Sequence, residues 1–87
     1  MARYELRFKP SVAKDLRDIP PADVRRILAR IENLRDDPRP GGSEKLSARE
    51  RFRLRQGDYC ILYTVSDAED VVEIVKVGHR REVYREP

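Results

Sequence analysis

The chain has 87 residues, 40% of them charged, with a formal net charge of +3 at pH 7 and a mean hydropathy of −0.76. This size allows one domain, residues 1–87, with so small a core that we expect a partner to hold and stabilise it. The single cysteine, Cys60, rules out an internal disulfide. With one histidine, His79, a zinc site would need carboxylate ligands, which are not suitably clustered in this sequence. The sequence shows no signal peptide and no apolar run of membrane length, and we therefore predict a cytoplasmic protein.

The first 20 residues predict a strand and a short helix. Apolar and charged residues alternate over Tyr4–Phe8, which is typical of a half-buried strand. The tripeptide Lys9-Pro10-Ser11 ends this pattern, and Pro20-Pro21 must end the helix that follows. The apolar positions at helical spacing in that helix are Val12, Ala13, Leu16 and Ile19.

A second helix is the clearest local prediction. Its apolar residues recur at steps of three and four and form one stripe. Pro21 suits the first helical turn, and Asp36-Asp37-Pro38 ends the helix. The residues of the stripe are Val24, Ile27, Leu28, Ile31 and Leu34.

Beyond a loop at residues 39–43, the apolar period changes from helical to two. Strands are predicted at residues 51–55, 59–65 and 71–77, with turns at 56–58 and 66–70. Short turns favour an antiparallel meander. The sequence therefore predicts an α+β fold: an N-terminal strand, an antiparallel helix hairpin and a three-stranded antiparallel meander, forming one curved sheet with the helices on one face.

Three arginines alternate with apolar residues in the first strand of the meander. Phe52 and Leu54 can bury against the helices while Arg51, Arg53 and Arg55 project from the opposite face. The planar arginine fork binds phosphate through paired hydrogen bonds. The alternative is that a surface strand needs charge to stay soluble and to guard an edge, and the three arginines alone favour this alternative.

Other residues of the C-terminal half shift the balance toward a polyanion site. The further basic residues are Lys45, Arg49, Arg80 and Arg81. His79 suits proton transfer near neutral pH, although a lone histidine is more often structural. Tyr84 either anchors the C-terminal segment or offers a platform for an unpaired base. We interpret Tyr59 and Tyr63 as packing residues.

The C-terminal half resembles the RelE/ParE toxin superfamily, and the similarity extends over nearly the whole chain. Four segments carry it: Lys45-Leu46, the alternating strand 51–55, the hairpin Gly57-Asp58-Tyr59-Cys60-Ile61-Leu62-Tyr63, and the ending Val77-Gly78-His79-Arg80-Arg81-Glu82-Val83-Tyr84. This ending is more similar to the RelE branch than to the ParE branch, whose members poison DNA gyrase.

The resemblance implies a toxin of a type II toxin–antitoxin system that enters the ribosomal A site and cuts messenger RNA through the 2′-hydroxyl of the RNA. It implies a metal-independent endoribonuclease without cofactors. The implied partners are the ribosome with its message and a cognate antitoxin, with which the toxin would form a hetero-oligomer. Two alternatives stay open: a ParE-like gyrase inhibitor, and a catalytically degenerate member that binds only RNA or an antitoxin.

The resemblance also implies roles for single residues. Arg51, Arg53 and Arg80 take the positions of the phosphate-binding residues, Tyr84 that of the stacking tyrosine, and His79 that of an acid or base. We expect these groups to converge on one scissile phosphate, with the arginines providing electrostatic stabilisation. The residues predicted to contact RNA around them are Lys45, Arg49, Arg55 and Arg81.

The sequence departs from the family pattern at one position. Where many relatives carry an arginine directly after the hairpin tyrosine, this chain has Cys60. A neutral thiol cannot neutralise a phosphate, and Cys60 is therefore the observation behind the degenerate alternative. Arginine is also a poor proton acceptor. The general base consequently stays open, with Glu50 one candidate if it faces the site.

Overall fold

The structure is a computed structural model that describes residues 3–46 and 51–83. Five strands form one sheet in the order β1-β5-β4-β3-β2. Strand β1 runs parallel to β5, and every other neighbouring pair is antiparallel. In chain order the elements are β1 (Glu5–Phe8), α1 (Pro10–Arg17), α2 (Pro21–Asn33), β2 (Ser43–Leu46), β3 (Arg51–Gln56), β4 (Tyr59–Ser66), β5 (Val71–His79) and α3 (Arg80–Val83).

The predicted fold class is confirmed. The N-terminal strand, the two helices and the meander β3-β4-β5 lie where the apolar periods place them, and α1 and α2 pack on one face of a single curved sheet. No helix within residues 3–46 and 51–83 is long and apolar enough to cross a membrane.

The two helices bury a narrower stripe than the sequence predicts. Ile27, Ile31 and Leu34 are fully buried, whereas Leu28 is 40% exposed. Successive residues of a helix point about 100° apart, so Leu28 lies at the edge of the buried stripe that contains Ile27 and Ile31. Helix α1 ends at Arg17, so Ile19 belongs to the segment that joins the two helices, where its side chain is buried.

The main core lies between the helices and the sheet. Phe52 and Leu54 of β3 bury here as predicted, and the Phe52 ring stacks on Tyr63 of β4 with 5.6 Å between the ring centroids. The hydroxyl of Tyr63 donates to the carbonyl of Pro38 at 2.9 Å, and burial raises the pKa of this phenol. One side chain thereby ties the loop after α2 to the centre of the sheet.

A cluster of polar side chains on the surface also holds the loop that follows α2. Arg39 lies over the Phe52 ring, 5.3 Å from its centroid, and binds Asp67 of the β4–β5 turn through two hydrogen bonds of 2.8 and 3.3 Å. The Tyr4 hydroxyl donates to Asp67 at 2.6 Å. The hydrogen bonds from Arg39 and Tyr4 together hold the pKa of the Asp67 carboxyl below its usual value.

Two elements are absent from the prediction. Strand β2 exists because Ser43–Leu46 pairs with Leu54–Arg51 of β3, and its own four residues show little strand propensity. Helix α3 is a single turn that follows β5 directly. Both depend on contacts with distant parts of the chain.

Strand β5 contains a bulge. Ile74 pairs with Tyr63 and Lys76 with Leu62, so Val75 is inserted between two consecutive rungs of the β4–β5 ladder. Before the bulge Val72 and Ile74 face the helices, whereas after it Val77 and His79 do. The inserted residue thus reverses the alternation of side chains for the rest of the strand.

Candidate functional site

The three arginines of β3 share the sheet face that turns away from the helices. We call this the arginine face. In the β3–β4 ladder, the neighbours of the arginines on β4 are small or apolar. Because Phe52 and Leu54 are buried on the helix side, the alternation of the strand directs the arginines to the other side. The cross-strand pairs are Arg51 with Thr64, Arg53 with Leu62, and Arg55 with Cys60.

Arg53 is the most constrained of the three. Glu44 of the edge strand β2 lies directly opposite Arg53, and its carboxylate is 3.0 Å from the Arg53 guanidinium. The Arg53 side chain is 22% exposed and that of Glu44 67% exposed. The arginine is therefore held in place while the carboxylate stays open to solvent, at the edge of the arginine face.

Arg55 and Arg80 lie toward the other end of the face. The Arg55 Nε donates to the carbonyl of Gly57 in the β3–β4 turn at 3.1 Å. Gly57 has a φ of +62°, which glycine adopts without steric cost. The backbone N–H of Arg80 donates to the carbonyl of Asp58 in the same turn at 2.9 Å. Arg80 therefore begins α3 beside this turn, two strands from Arg55.

The backbone positions of the arginines are spread along the sheet. Thr64 of β4 lies opposite Arg51, and Asp58, in the turn before β4, accepts the backbone N–H of Arg80. Thr64 and Asp58 are six positions apart, or about 20 Å of extended chain. Side chains stand roughly perpendicular to a sheet. The backbone positions of Arg51 and Arg80 thus lie far apart, on an extended track along the sheet, and convergence of the arginine side chains on one scissile phosphate stays a prediction.

Cys60 forms part of a small apolar cluster on the same face. It is 0% exposed and packs with Leu62, and the partly buried Leu46 and Val75 flank the pair. The thiol consequently lies below the level of the arginines. An arginine at this position would have to extend its charged group out of an apolar layer. A Cys60→Arg substitution would therefore affect stability as well as charge.

His79 lies on the helix side of the sheet, apart from the arginines. It pairs with Tyr59, and the two rings meet edge to face with their centroids 5.8 Å apart. The backbone N–H of Arg81 donates to the His79 Nδ1 at 3.2 Å, so the hydrogen of the neutral ring is on Nε2. The ring borders a cleft of about 330 Å³ whose lining includes Asp15, Asp18 and Glu82.

Comparison with known proteins places this architecture in a family. Residues 6–84 match the family described as the ParE toxin of the type II toxin–antitoxin system parDE. The toxin RelG of Mycobacterium tuberculosis is 32% identical over 88 residues, which span 94% of this chain and 97% of RelG. This chain is a member of the RelE/ParE toxin family. It is therefore a toxin of the type II toxin–antitoxin class.

Solved structures of related toxins share the fold. In the toxin–antitoxin complex RelBE2 of Mycobacterium tuberculosis, a chain with 27% identity superimposes with a TM-score of 0.77, covering 90% of this toxin and 99% of that chain. In the archaeal RelE–RelB complex of Pyrococcus horikoshii, a chain with 27% identity gives a TM-score of 0.78, covering 90% and 96%. The membership in the RelE/ParE family that the sequence motifs predicted is confirmed.

The remaining predicted site residues of the toxin lie in three places. Lys45 pairs with Phe52 and so shares the helix side of the sheet, at its β2 edge. Arg81 is exposed on α3. Arg49 and Tyr84 lie outside the described residues, as does Glu50. The structure thus gathers Arg51, Arg53 and Arg55 on one face, adds Arg80 at its end, and sets Lys45 and His79 on the opposite side.

Glu44 is the residue at this site that sequence reasoning missed. In the sequence, Glu44 is one acidic residue in the segment Ser43–Leu46, which has no clear strand propensity. Pairing with β3 turns that stretch into an edge strand and brings the carboxylate to Arg53. Within residues 3–46 and 51–83, no group of three or more histidine, cysteine or acidic side chains could hold a metal ion.

Proposed function

We propose that this toxin is a ribosome-dependent endoribonuclease that cuts messenger RNA in the A site and so inhibits translation. The observation that carries the proposal is the arginine face: three guanidinium groups project side by side from β3, on the side of the sheet opposite the two helices. Guanidinium groups bind phosphate oxygens in pairs and keep their charge at any cellular pH.

The proposed reaction uses the RNA's own 2′-hydroxyl as the nucleophile against the adjacent phosphate. Negative charge builds up on the phosphate oxygens in the transition state, and fixed positive charges stabilise it there. Arg53 suits this task because its contact with Glu44 limits its motion before the substrate arrives. No metal ion takes part in the proposed step.

The length of the arginine face supports a role in holding a stretch of message. We assign Arg53 to the scissile phosphate and Arg51, Arg55 and Arg80 to neighbouring phosphates along the track, with Arg81 at its rim. Tyr84 is assigned to base stacking. The position of His79 on the helix side favours a role in anchoring the start of α3 over one in proton transfer at the arginine face.

A cognate antitoxin is the proposed partner of the free toxin, alongside the ribosome and its message during cleavage. Related toxins from Mycobacterium tuberculosis and Pyrococcus horikoshii have been solved in complex with their antitoxins. Like charges side by side on β3 repel one another. We expect the antitoxin to supply acidic groups to this face and thereby to block RNA.

The proposal is tested by inducing the toxin in cells and mapping message ends by primer extension. We expect new 5′ ends inside translated regions within minutes, and an untranslated copy of the same message should stay intact. Purified toxin should leave the naked RNA uncut. Intact translated messages together with normal growth would refute the proposal.

Gyrase inhibition is the second candidate, because the matching family description names a ParE toxin. A gyrase inhibitor would block DNA supercoiling in a purified assay and leave messages whole. Running the supercoiling assay and the primer extension on the same preparation separates the two functions, since each predicts one positive and one negative result.

A degenerate member is the third candidate, and Cys60 is the observation behind it. Cys60→Arg is informative only together with a stability measurement, because the thiol is fully buried among apolar side chains. We expect this variant to melt earlier and to gain no toxicity. A large gain in toxicity would show that the natural chain lacks a needed positive charge.

A further inference from the structure

On the arginine face, the Glu44 carboxylate lies in direct contact with Arg53, one of three arginines suited to binding phosphate. Guanidinium groups donate hydrogen bonds and accept none, so the β3 arginines cannot take the proton of a 2′-hydroxyl. We infer that Glu44 is the catalytic proton acceptor of this toxin. The inference rests on the proposed RNA cleavage and deepens it by naming its base.

The position of Glu44 fits this role. The β2–β3 register sets Glu44 opposite Arg53 on the same face of the sheet, with 3.0 Å between carboxylate and guanidinium. A guanidinium has five N–H donors, so one arginine can hold a carboxylate and a phosphate oxygen at the same time. A phosphate bound at Arg53 therefore has the Glu44 carboxylate as its neighbour.

Accessibility supports the same assignment. The Glu44 side chain is 67% exposed, so RNA can reach the carboxylate without any movement of the backbone. A base must come within hydrogen-bonding distance of the proton that it takes. Arg53, with 22% exposure, is the better-fixed member of the pair and sets the position of the carboxylate.

Other acidic residues of the described segments are placed less well for this step. Glu73 is on the arginine face but lies two strands from Arg51, which is about 10 Å. Glu5 is on the far edge strand, where it binds Arg7 at 2.6 Å. Asp15, Asp18 and Glu82 line the cleft on the helix side. Among these, Glu44 is the carboxylate that contacts the β3 arginines.

The proposed step balances in atoms and protons. The Glu44 carboxylate takes the proton of the 2′-hydroxyl while the 2′-oxygen forms a bond to the adjacent phosphorus. The bond from phosphorus to the 5′-oxygen breaks, and that oxygen takes a proton from water. The products are a 2′,3′-cyclic phosphate and a 5′-hydroxyl, and the Glu44 carboxyl then returns its proton to solvent.

The experiment is single-turnover cleavage of a message on programmed ribosomes with saturating toxin. Glu44→Gln keeps the size of the side chain and removes its ability to accept the proton. We expect a rate about 10²–10⁴-fold lower than that of the wild type, the range for loss of a general base. Glu44→Asp, with the carboxylate one methylene shorter, should recover part of the lost rate.

Two further measurements separate catalysis from binding and folding. Binding to ribosomes whose message carries a 2′-deoxy nucleotide at the cut site should be unchanged in Glu44→Gln within about threefold. The melting temperature of Glu44→Gln should match that of the wild type, because an exposed ion pair contributes little to stability.

The matched control is Glu5→Gln. It removes the same charge from the opposite edge strand and breaks a comparable exposed contact to an arginine. This variant should cleave at the wild-type rate. The inference fails if Glu44→Gln cleaves as fast as Glu5→Gln, or faster with tighter RNA binding, which would make Glu44 a competitor of phosphate. A wild-type toxin that cuts no translated message would overturn the proposed function as well.

Discussion

The two faces of the sheet are built by different physical effects. On the helix side Phe52, Tyr63 and Ile27 belong to one buried cluster. On the arginine face the apolar part is a small cluster around Cys60 and Leu62, with charged side chains around it. Burial of apolar side chains on the helix side stabilises a domain of this size. On the arginine face, repulsion between like charges opposes that stabilisation.

This difference separates the expected effects of mutation. Substitutions on the helix side should lower stability in proportion to the contacts that they remove. Substitutions of the arginines should leave the fold intact and change what the protein does, because exposed ion pairs contribute little to stability. Four measurements test this separation.

The largest effect is expected from Tyr63→Ala. The ring is fully buried and stacked on Phe52, and its hydroxyl binds Pro38, so its removal leaves a cavity and an unpaired carbonyl. We expect a loss of about 3–5 kcal/mol in the free energy of unfolding, measured by urea denaturation. Leu28→Ala, at an exposed position of α2, should cost less than about 1 kcal/mol. Equal losses in the two variants would contradict the assignment of the core.

The next effect concerns activity and comes from the other face. Arg53→Ala should slow cleavage of translated messages about 10²–10³-fold, the range for loss of one donor to a transition-state oxygen. The unfolding free energy should change by less than about 1 kcal/mol, since the partner Glu44 stays solvated. Arg26→Ala, an equal loss of charge on the outside of α2, serves as the control and should cleave normally. Similar rates in both variants would show that total charge, rather than the arginine face, determines activity.

A smaller loss of stability is expected from Tyr63→Phe. This change keeps the stacked ring and removes only the hydrogen bond to the buried Pro38 carbonyl. We expect a cost of about 1–3 kcal/mol, the range for an unpaired buried polar group, and unchanged cleavage at a temperature where the variant is folded. A variant as unstable as Tyr63→Ala would show that the hydroxyl, and not the ring, dominates this position.

The smallest effect concerns the pH dependence of stability through Asp67. Its pKa is held below the ordinary value by Arg39 and Tyr4, so its contribution to stability is present above about pH 4 and is lost as the pH falls through the lowered pKa. Asp67→Asn should therefore melt earlier than the wild type at neutral pH. The two melting temperatures should approach each other in acid. A constant difference between pH 2 and pH 7 would mean that the charge of Asp67 contributes nothing.

His79 shows how a single residue of register changes the interpretation of a site. With strict alternation from Val71, His79 would lie on the side of Glu73, which is the arginine face. The bulge at Val75 reverses this, and the imidazole pairs with Tyr59 on the helix side. A bulge forms where two strands must fit each other, so the alternation within β5 alone does not reveal it.

The sequence by itself determined the elements whose periods lie within one continuous segment. The alternation of Phe52 and Leu54 with the arginines set the two faces of β3, and the apolar steps in α2 set its buried side, apart from Leu28 at the edge. These patterns are local, because each residue's direction follows from its neighbours in the same helix or strand.

The tertiary structure alone decided which side chains from different segments meet. Strand β2 exists through pairing with β3, and the Glu44–Arg53 contact joins residues nine positions apart through that pairing. The face of His79 and the distance from Arg51 to Arg80 depend on how β3, β4 and β5 align. These features follow from the free energy of the whole sheet, which no single segment specifies.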